Sequence, residues 1–169
     1  YLDIKNNEEI LEIGWGWGTL SKYLIENNTI SIDAITISEE QLKYAKDLAV
    51  NKSLGQCNFK LEDYRKIQSK YDKIVSVEMI EAVGSKYLPI YIDTIKKCLQ
   101  NDGHAIIQGI TIADDKFAKY SRQVDFIQKY IFPGGFLPSK KLLEKIANKK
   151  KLNIEVLEDL NQSYVKTLS

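Results

Sequence analysis

The run Leu11-Glu-Ile-Gly-Trp-Gly-Trp-Gly18 constrains this chain more than any other segment. Glu9 to Ile13 reads as a strand, and Leu20, Tyr23 and Leu24 recur at helical spacing as far as Asn27-Asn28. A strand that enters a helix through a glycine-rich turn opens a βαβ unit, which requires a second, parallel strand. Gly14, Gly16 and Gly18 let the backbone turn sharply and approach a ligand closely. The helix start beyond them favours negative charge, such as a carboxylate. A tight turn with no ligand is the bland alternative.

The rest of the chain keeps the alternation. Ile30 to Thr36, Cys57 to Leu61, Tyr71 to Val77, Ala105 to Thr111 and Ile154 to Glu158 read as five further strands. Ser38 to about Asn51 is helical, with Leu42, Ala45, Leu48 and Ala49 on one face. Leu88, Tyr91, Ile92, Ile95 and Leu99 form an amphipathic helix, which Asn101-Asp-Gly103 should stop, with Gly103 near its C-cap. Asp114 to Tyr130 reads as one helix, Pro133-Gly-Gly135 as a turn, and Ser139 as the N-cap of a last helix. The expected fold class is therefore α/β, one domain over residues 1–169, with ligands at the C-terminal ends of parallel strands.

Composition narrows the function classes. A chain of 169 residues with 44% hydrophobic and 28% charged content can bury a core. A net charge of +1 gives no pull toward nucleic acid. Cys57 and Cys98 lie far apart with no CxxC pair, which fits buried reduced thiols, no metal site and a cytoplasmic setting. No apolar run reaches transmembrane length, and the first residues lack the pattern of a signal peptide.

Spacing then separates two cofactors. A dinucleotide fingerprint starting at Gly14 and Gly16 needs a third glycine at 19 and an acid near 36, and both positions hold threonine. The G-x-G-x-G pattern preceded by Glu12 is instead similar to the first motif of class I methyltransferases.

Further segments sharpen that likeness. Thr36-Ile-Ser-Glu-Glu-Gln41, Leu61-Glu-Asp-Tyr-Arg65, Ser76-Val-Glu-Met-Ile-Glu-Ala-Val-Gly84, Gln108-Gly-Ile-Thr111, Gln128-Lys-Tyr-Ile-Phe-Pro-Gly-Gly-Phe-Leu-Pro-Ser139 and Tyr164-Val-Lys-Thr-Leu168 resemble, in family order, the cyclopropane-fatty-acyl-phospholipid and mycolic acid cyclopropane synthases. The resemblance implies a Rossmann-like class I methyltransferase core. It also implies transfer of the S-adenosyl-L-methionine methyl to a cis double bond of a phospholipid acyl chain, with bicarbonate removing a proton from the new methyl as the ring closes. Such chemistry needs a sulfonium held against the alkene, a dry pocket and a placed base. By matching motifs, Glu12, Gly14, Gly16, Trp17 and Gly18 belong to the cofactor turn. Thr36 and Gln41 fall on the ribose side, and Glu62 or Asp63 falls beside the adenine amine. Glu81, Tyr164, Gln108 and the backbone of Ile110 fall around bicarbonate.

Departures from the family pattern qualify the expectation. Trp15 stands where many members have Cys, so it is expected to reshape the methionine end of the site. Gln108 stands where many have His; it donates a hydrogen bond but cannot take up a proton. The family's N-terminal helical lid and its last strand fall outside residues 1–169, which leaves an acyl pocket open to water. The rivals are therefore a non-catalytic or split cofactor-binding fragment and another lipid or small-molecule methyltransferase.

Plainer roles stand beside the sharp ones. Gln41 completes a capping box with Ser38. Glu81 would be a solvated carboxylate at a helix start, and Glu78 is given no role. Trp17 would pack on the first helix, Asp63 would begin a turn, and His104 would be a surface histidine. Tyr130, Phe132 and Phe136 line an acyl pocket or pack the core. Lys149 to Lys151 is first a solvated helix end and second a peripheral contact with anionic lipid at the inner membrane surface.

Overall fold

The structure, a computed structural model, describes residues 2–52, 56–124, 126–156 and 158–161. Five strands, β1 (Glu9–Ile13), β2 (Ser31–Thr36), β3 (Cys57–Leu61), β4 (Tyr71–Val77) and β5 (Leu99–Gln108), form one sheet in the order β3-β2-β1-β4-β5. Every pairing is parallel. The chain runs outward from β1 to β3 and then crosses back to β4, so strand order reverses between β1 and β4. An open α/β sheet carries its ligand crevice there, beyond the strand C-termini.

Helices cover both faces: α1 (Thr19–Asn27), α2 (Glu39–Lys52), α3 (Ile80–Val83), α4 (Leu88–Cys98), α5 (Asp114–Tyr120) and α6 (Lys140–Lys149). A parallel strand with both faces covered reads as a continuous apolar run, and in β1 only Glu9 is exposed. Leu11, Ile13 and Ile74 pack with Tyr91, Ile92 and Ile95 of α4 on one face. Ile10, Ile32, Ala34 and Val75 pack with Leu24 and Ala45 on the other. Each buried aliphatic side chain contributes about 1.5–3 kcal/mol, so the two layers hold β1 and β4 as a rigid floor for the crevice. Cys57 and Cys98 are free buried thiols, and burial pushes the Cys57 thiol up to about 12.

Both serine caps form. Ser38 Oγ accepts from Gln41 N at 3.2 Å, and Ser139 Oγ accepts from Leu142 N at 3.3 Å. The side chains of Leu48 and Ala49 lie outside the described residues, as does Tyr164.

Four sequence expectations are corrected. Asn101-Asp-Gly103 does not stop a helix: α4 ends at Cys98 and passes directly into β5. The register jumps from Tyr71 against Leu99 to Lys73 against His104, so residues 100–103 form an irregularity in the strand. A Cβ on Gly103 would lie 2.9 Å from Asp72 O, so close backbone approach, not capping, calls for glycine. The helix expected over 114–130 breaks after Tyr120, and a π-helical turn follows at Ile127–Ile131. Among the described residues, 154–156 and 158 form no strand. Of Lys149 to Lys151, expected as a solvated helix end, Lys149 and Lys151 are exposed, but the half-buried Lys150 has its Nζ 2.7 Å from Asp93 Oδ1 on α4.

Candidate active site

The glycine turn leaves β1 at the point of strand-order reversal. Gly14, Gly16 and Gly18 have φ of 76°, 60° and 78°, all in the left-handed region that side-chain-bearing residues avoid. Gly14 N donates to Ile35 O at 3.0 Å, which ties the turn to β2. A Cβ on Gly14 would meet Met79 Cγ at 3.1 Å, whereas one on Gly16 would meet nothing within 4 Å. The turn is therefore tight where it faces the end of β4 and open above Gly16.

The two tryptophans go opposite ways. Trp15 does not reach into the crevice; its ring is buried with its centroid 4.6 Å from that of Phe59. Its Nε1 is buried without a hydrogen-bond partner, at a cost of about 1–3 kcal/mol. Trp17 is 58% exposed and meets Tyr44 of α2 edge-on at 5.4 Å, rather than packing on α1. Glu12 lies beneath the turn, 4% exposed, and accepts a short hydrogen bond from Ser21 Oγ of α1. Burial pushes its carboxyl up to about 7, partly offset by the Ser21 hydrogen bonds.

Thr36 and Gln41 come together at the end of β2. Thr36 Oγ1 donates to Gln41 Oε1 at 2.5 Å and accepts from Ser38 N at 3.1 Å. The capping box is thus half-formed: Ser38 caps α2, while Gln41 is held by Thr36 with its Nε2 as the donor end. Between them Ile37 is 81% exposed, an apolar face at the C-terminal end of β2 that sequence reasoning missed. It occupies the position before the Ser38 cap, where an apolar residue normally packs onto the helix. At the end of β3, Glu62 N donates to Thr36 O at 2.9 Å. Asp63 begins a 3-10 turn and accepts from Arg65 N and Nε, both at 2.9 Å. The Arg65 guanidinium holds the Asp63 carboxyl below the usual carboxylate range.

A second cluster forms beyond β4 and β5. Glu81 is not a solvated helix-start carboxylate: its Oε1 accepts a short hydrogen bond from Ile110 N, and its Oε2 is buried without a partner. Phe136 N donates to Glu81 O at 2.8 Å, so the Pro133–Gly135 turn closes against α3. A Cβ on Gly109 would lie 2.4 Å from Ile80 Cγ2 and 3.0 Å from Glu81 Oε1, so only glycine lets β5 pass so close to Glu81. Gln108 Nε2 donates to Glu78 Oε1 at 3.2 Å.

These two clusters hold all the sequence-derived site residues within the described set. Tyr130 and Phe132 are exposed, while Phe136 stacks between Phe117 and Tyr120 at 5.9 and 6.0 Å. His104 is exposed at the opposite end of the sheet. There Lys5, Glu8, Asp72, Lys73 and Asp102 join it around a polar cleft of about 680 Å³, far from both clusters. No helix among the described residues is long and apolar enough to cross a membrane.

Comparison with known proteins agrees with this geometry. A family model described as mycolic acid cyclopropane synthetase matches residues 1–169. The chain is 34% identical over 167 residues to tuberculostearic acid methyltransferase UfaA1 of Mycobacterium tuberculosis, covering 98% of the chain and 39% of that protein. It is 37% identical over 139 residues to the cyclopropane-fatty-acyl-phospholipid synthase of Escherichia coli, covering 82% of the chain and 34% of that protein. The crystal structure of mycolic acid cyclopropane synthase CmaA1 complexed with SAH and CTAB superposes with a TM-score of 0.88 at 24% identity, over 99% of this chain and 62% of that one. The fold is the Rossmann-like class I methyltransferase fold. The chain spans little more than a third of the length of the two curated relatives.

Proposed function

The chain belongs to the mycolic acid cyclopropane synthetase family, and from that membership we propose that it forms the S-adenosylmethionine-binding core of an enzyme that adds a methylene across the cis double bond of an unsaturated phospholipid acyl chain. The observation that carries the reading is a glycine turn, open above Gly16, that packs at Gly14 against Met79, two residues before the half-satisfied buried carboxylate of Glu81. The cofactor supplies an electrophilic methyl on a sulfonium, and bicarbonate supplies a base.

The chain's own residues fit both groups. The turn at Gly14–Gly18 lets the ligand approach the backbone, and the start of α1 favours its carboxylate. Gln41, steadied by Thr36, offers donors to the ribose hydroxyls. Ile37 offers an apolar face to the adenine, and Glu62 and Asp63 flank its amine side. Glu12 acts from below, bracing the turn through Ser21. Glu81 Oε2 is an acceptor in need of a donor, which the hydroxyl of bicarbonate provides. The Gln108 amide and the backbone of Ile110, whose N–H holds the other Glu81 oxygen, are assigned to the same anion by motif, as is Tyr164. The exposed Tyr130 and Phe132 offer apolar surface to an acyl chain. Transfer without ring closure is a second reading, favoured by the similarity to a relative named a methyltransferase rather than a cyclopropane synthase.

Isothermal titration with S-adenosylhomocysteine, S-adenosylmethionine and NAD tests the cofactor site. The first two should bind and NAD should not; a folded chain that binds neither would refute the reading. Mass spectrometry of lipids from cells expressing the chain tests the chemistry, and the expected product is an acyl chain heavier by one CH₂.

A further inference from the structure

Large apolar side chains crowd one stretch of the surface. Val124, Phe126, Tyr130, Ile131 and Phe132 are each more than half exposed, and they fall within nine residues. Apolar residues exposed singly need no account, but a group of them marks an interaction surface. The Phe126 and Tyr130 rings have centroids 5.1 Å apart, so these side chains meet in space as well as in sequence.

The stretch is held from beneath. Phe117 and Tyr120 of α5 meet Phe136 ring to ring. Tyr120 Oη accepts from Gln128 Nε2 at 3.0 Å and from Leu137 N at 2.9 Å, and Gln128 Nε2 also donates to Gly135 O at 3.1 Å. These ties fasten the π-helical turn Ile127–Ile131 between α5 and the turn that follows it. Its apolar side chains therefore face outward from an anchored base.

The same stretch is basic. From 116 to 132 the sequence holds four bases, Lys116, Lys119, Arg122 and Lys129, and one acid, Asp125, although the whole chain carries only +1. All four bases are exposed, and none forms an ion pair among the described residues. Lys129 Nζ lies 4.9 Å from the centre of the Tyr130 ring, so cation and apolar body share one spot. A second copy docking through the same patch would set these bases against their equals. An anionic bilayer accepts both the apolar side chains and the charge. We propose that this patch docks the chain on a membrane: Val124, Phe126 and Ile131 enter the headgroup boundary of an anionic phospholipid bilayer, and the four bases meet its phosphates. The choice of partner rests on the proposed phospholipid substrate. The turn that ends the patch closes on α3, where Phe136 N donates to Glu81 O at 2.8 Å and a Cβ on Gly84 would lie 3.3 Å from Gly134 O. Docking there sets the Glu81 cluster beside the lipid. The surface is distinct from Lys149–Lys151, where Lys150 is already paired with Asp93.

Sedimentation with vesicles of phosphatidylglycerol or of phosphatidylcholine tests the surface, on the full chain saturated with S-adenosylhomocysteine. Phosphatidylglycerol vesicles should bind it more than about tenfold better than phosphatidylcholine vesicles and release it at high salt. Phe126→Ser should weaken that binding about tenfold, and Lys119→Gln with Arg122→Gln about fivefold for each charge removed. All three positions are exposed and lie off the glycine turn, so S-adenosylhomocysteine affinity should not move. Binding that ignores lipid charge, or variants that bind like the wild type, would overturn the proposal. Self-association that Phe126→Ser disperses, without vesicle binding, would assign the patch to a second copy and overturn it too. Methyl transfer from S-adenosylmethionine to phospholipid dispersed in neutral detergent reads the proposed function separately. Transfer without vesicle binding would overturn the docking surface alone, and vesicle binding without transfer would overturn the proposed chemistry alone.

Discussion

Replacing Glu12 by Gln should remove a pH dependence of stability that the wild-type chain carries near neutrality. Gln keeps the length of the side chain and an oxygen to accept from Ser21 Oγ, and loses only the ionisation. Burial is the main cause that lifts the Glu12 carboxyl from an ordinary 4.5 to about 7, and the Ser21 hydrogen bonds offset part of it. Because the folded value lies above the unfolded one, the protonated form is favoured by folding. The associated stability is whole below about pH 4.5 and is lost as pH rises through about 7. At about 1.4 kcal/mol per pKa unit the loss is roughly 3 kcal/mol, of which about 2 kcal/mol falls between pH 5.5 and 8. Asp33 and Asp63 do not confuse this window. Their carboxyls are held below the ordinary 3.8, so what they contribute is lost only at more acidic pH. Urea unfolding followed by circular dichroism at both pH values measures the effect. A slope of about 2 kcal/mol per molar urea converts it to a midpoint about 1 M lower at pH 8 in the wild type. Glu12→Gln should flatten that difference and unfold later than the wild type at pH 8. Equal pH dependence in the two proteins, or a less stable Gln variant at pH 8, would refute the reasoning.

Gly109→Ala should cost about 1–3 kcal/mol by overpacking, since its Cβ would lie 2.4 Å from Ile80 Cγ2. In a double-mutant cycle Ile80→Ala should recover much of that loss, and strict additivity of the two changes would count against the clash. In Gly16→Val the Cβ meets no atom within 4 Å but the residue sits at φ 60°, so the change should lower stability by about 1–2 kcal/mol. Its larger effect should be on S-adenosylhomocysteine affinity in calorimetry, and retained affinity would place the ligand elsewhere. Tyr91→Phe removes a buried hydroxyl that faces Ser76 without a close hydrogen bond, so the thermal midpoint should stay level or rise by a few degrees; a clear fall would show that the Ser76 contact holds it.

Where structure follows from neighbours in sequence, it was legible before any coordinates. The parallel α/β class, the strands β1 to β4, the glycine turn and the serine caps of α2 and α6 rest on periods and residue chemistry within a few positions. The candidate site residues were proposed as motifs, because their spacing along the chain is itself the signal. What failed was whatever depends on a partner distant in sequence. Asn101-Asp-Gly103 has the composition of a helix stop, but β4 draws the chain into the sheet from Leu99. Ile154 to Glu158 alternates like a strand, yet residues 154–156 and 158 pair with no edge of the sheet. Trp15 reads as reshaping the methionine end of the site from its place in the turn, and only packing against Phe59 shows that it belongs to the core. Ile37 falls between the expected strand and helix, and only the folded sheet exposes it at the crevice. Glu78 is given no role by the segment it lies in; its link to Gln108 crosses thirty positions and exists only because β4 and β5 lie side by side. Sequence alone thus determined the fold class and the placement of the glycine turn, since local backbone chemistry suffices for both. Tertiary structure decided which side chains face the crevice and which carboxylates are buried, because burial and pairing are properties of strands brought together, not of the strand by itself.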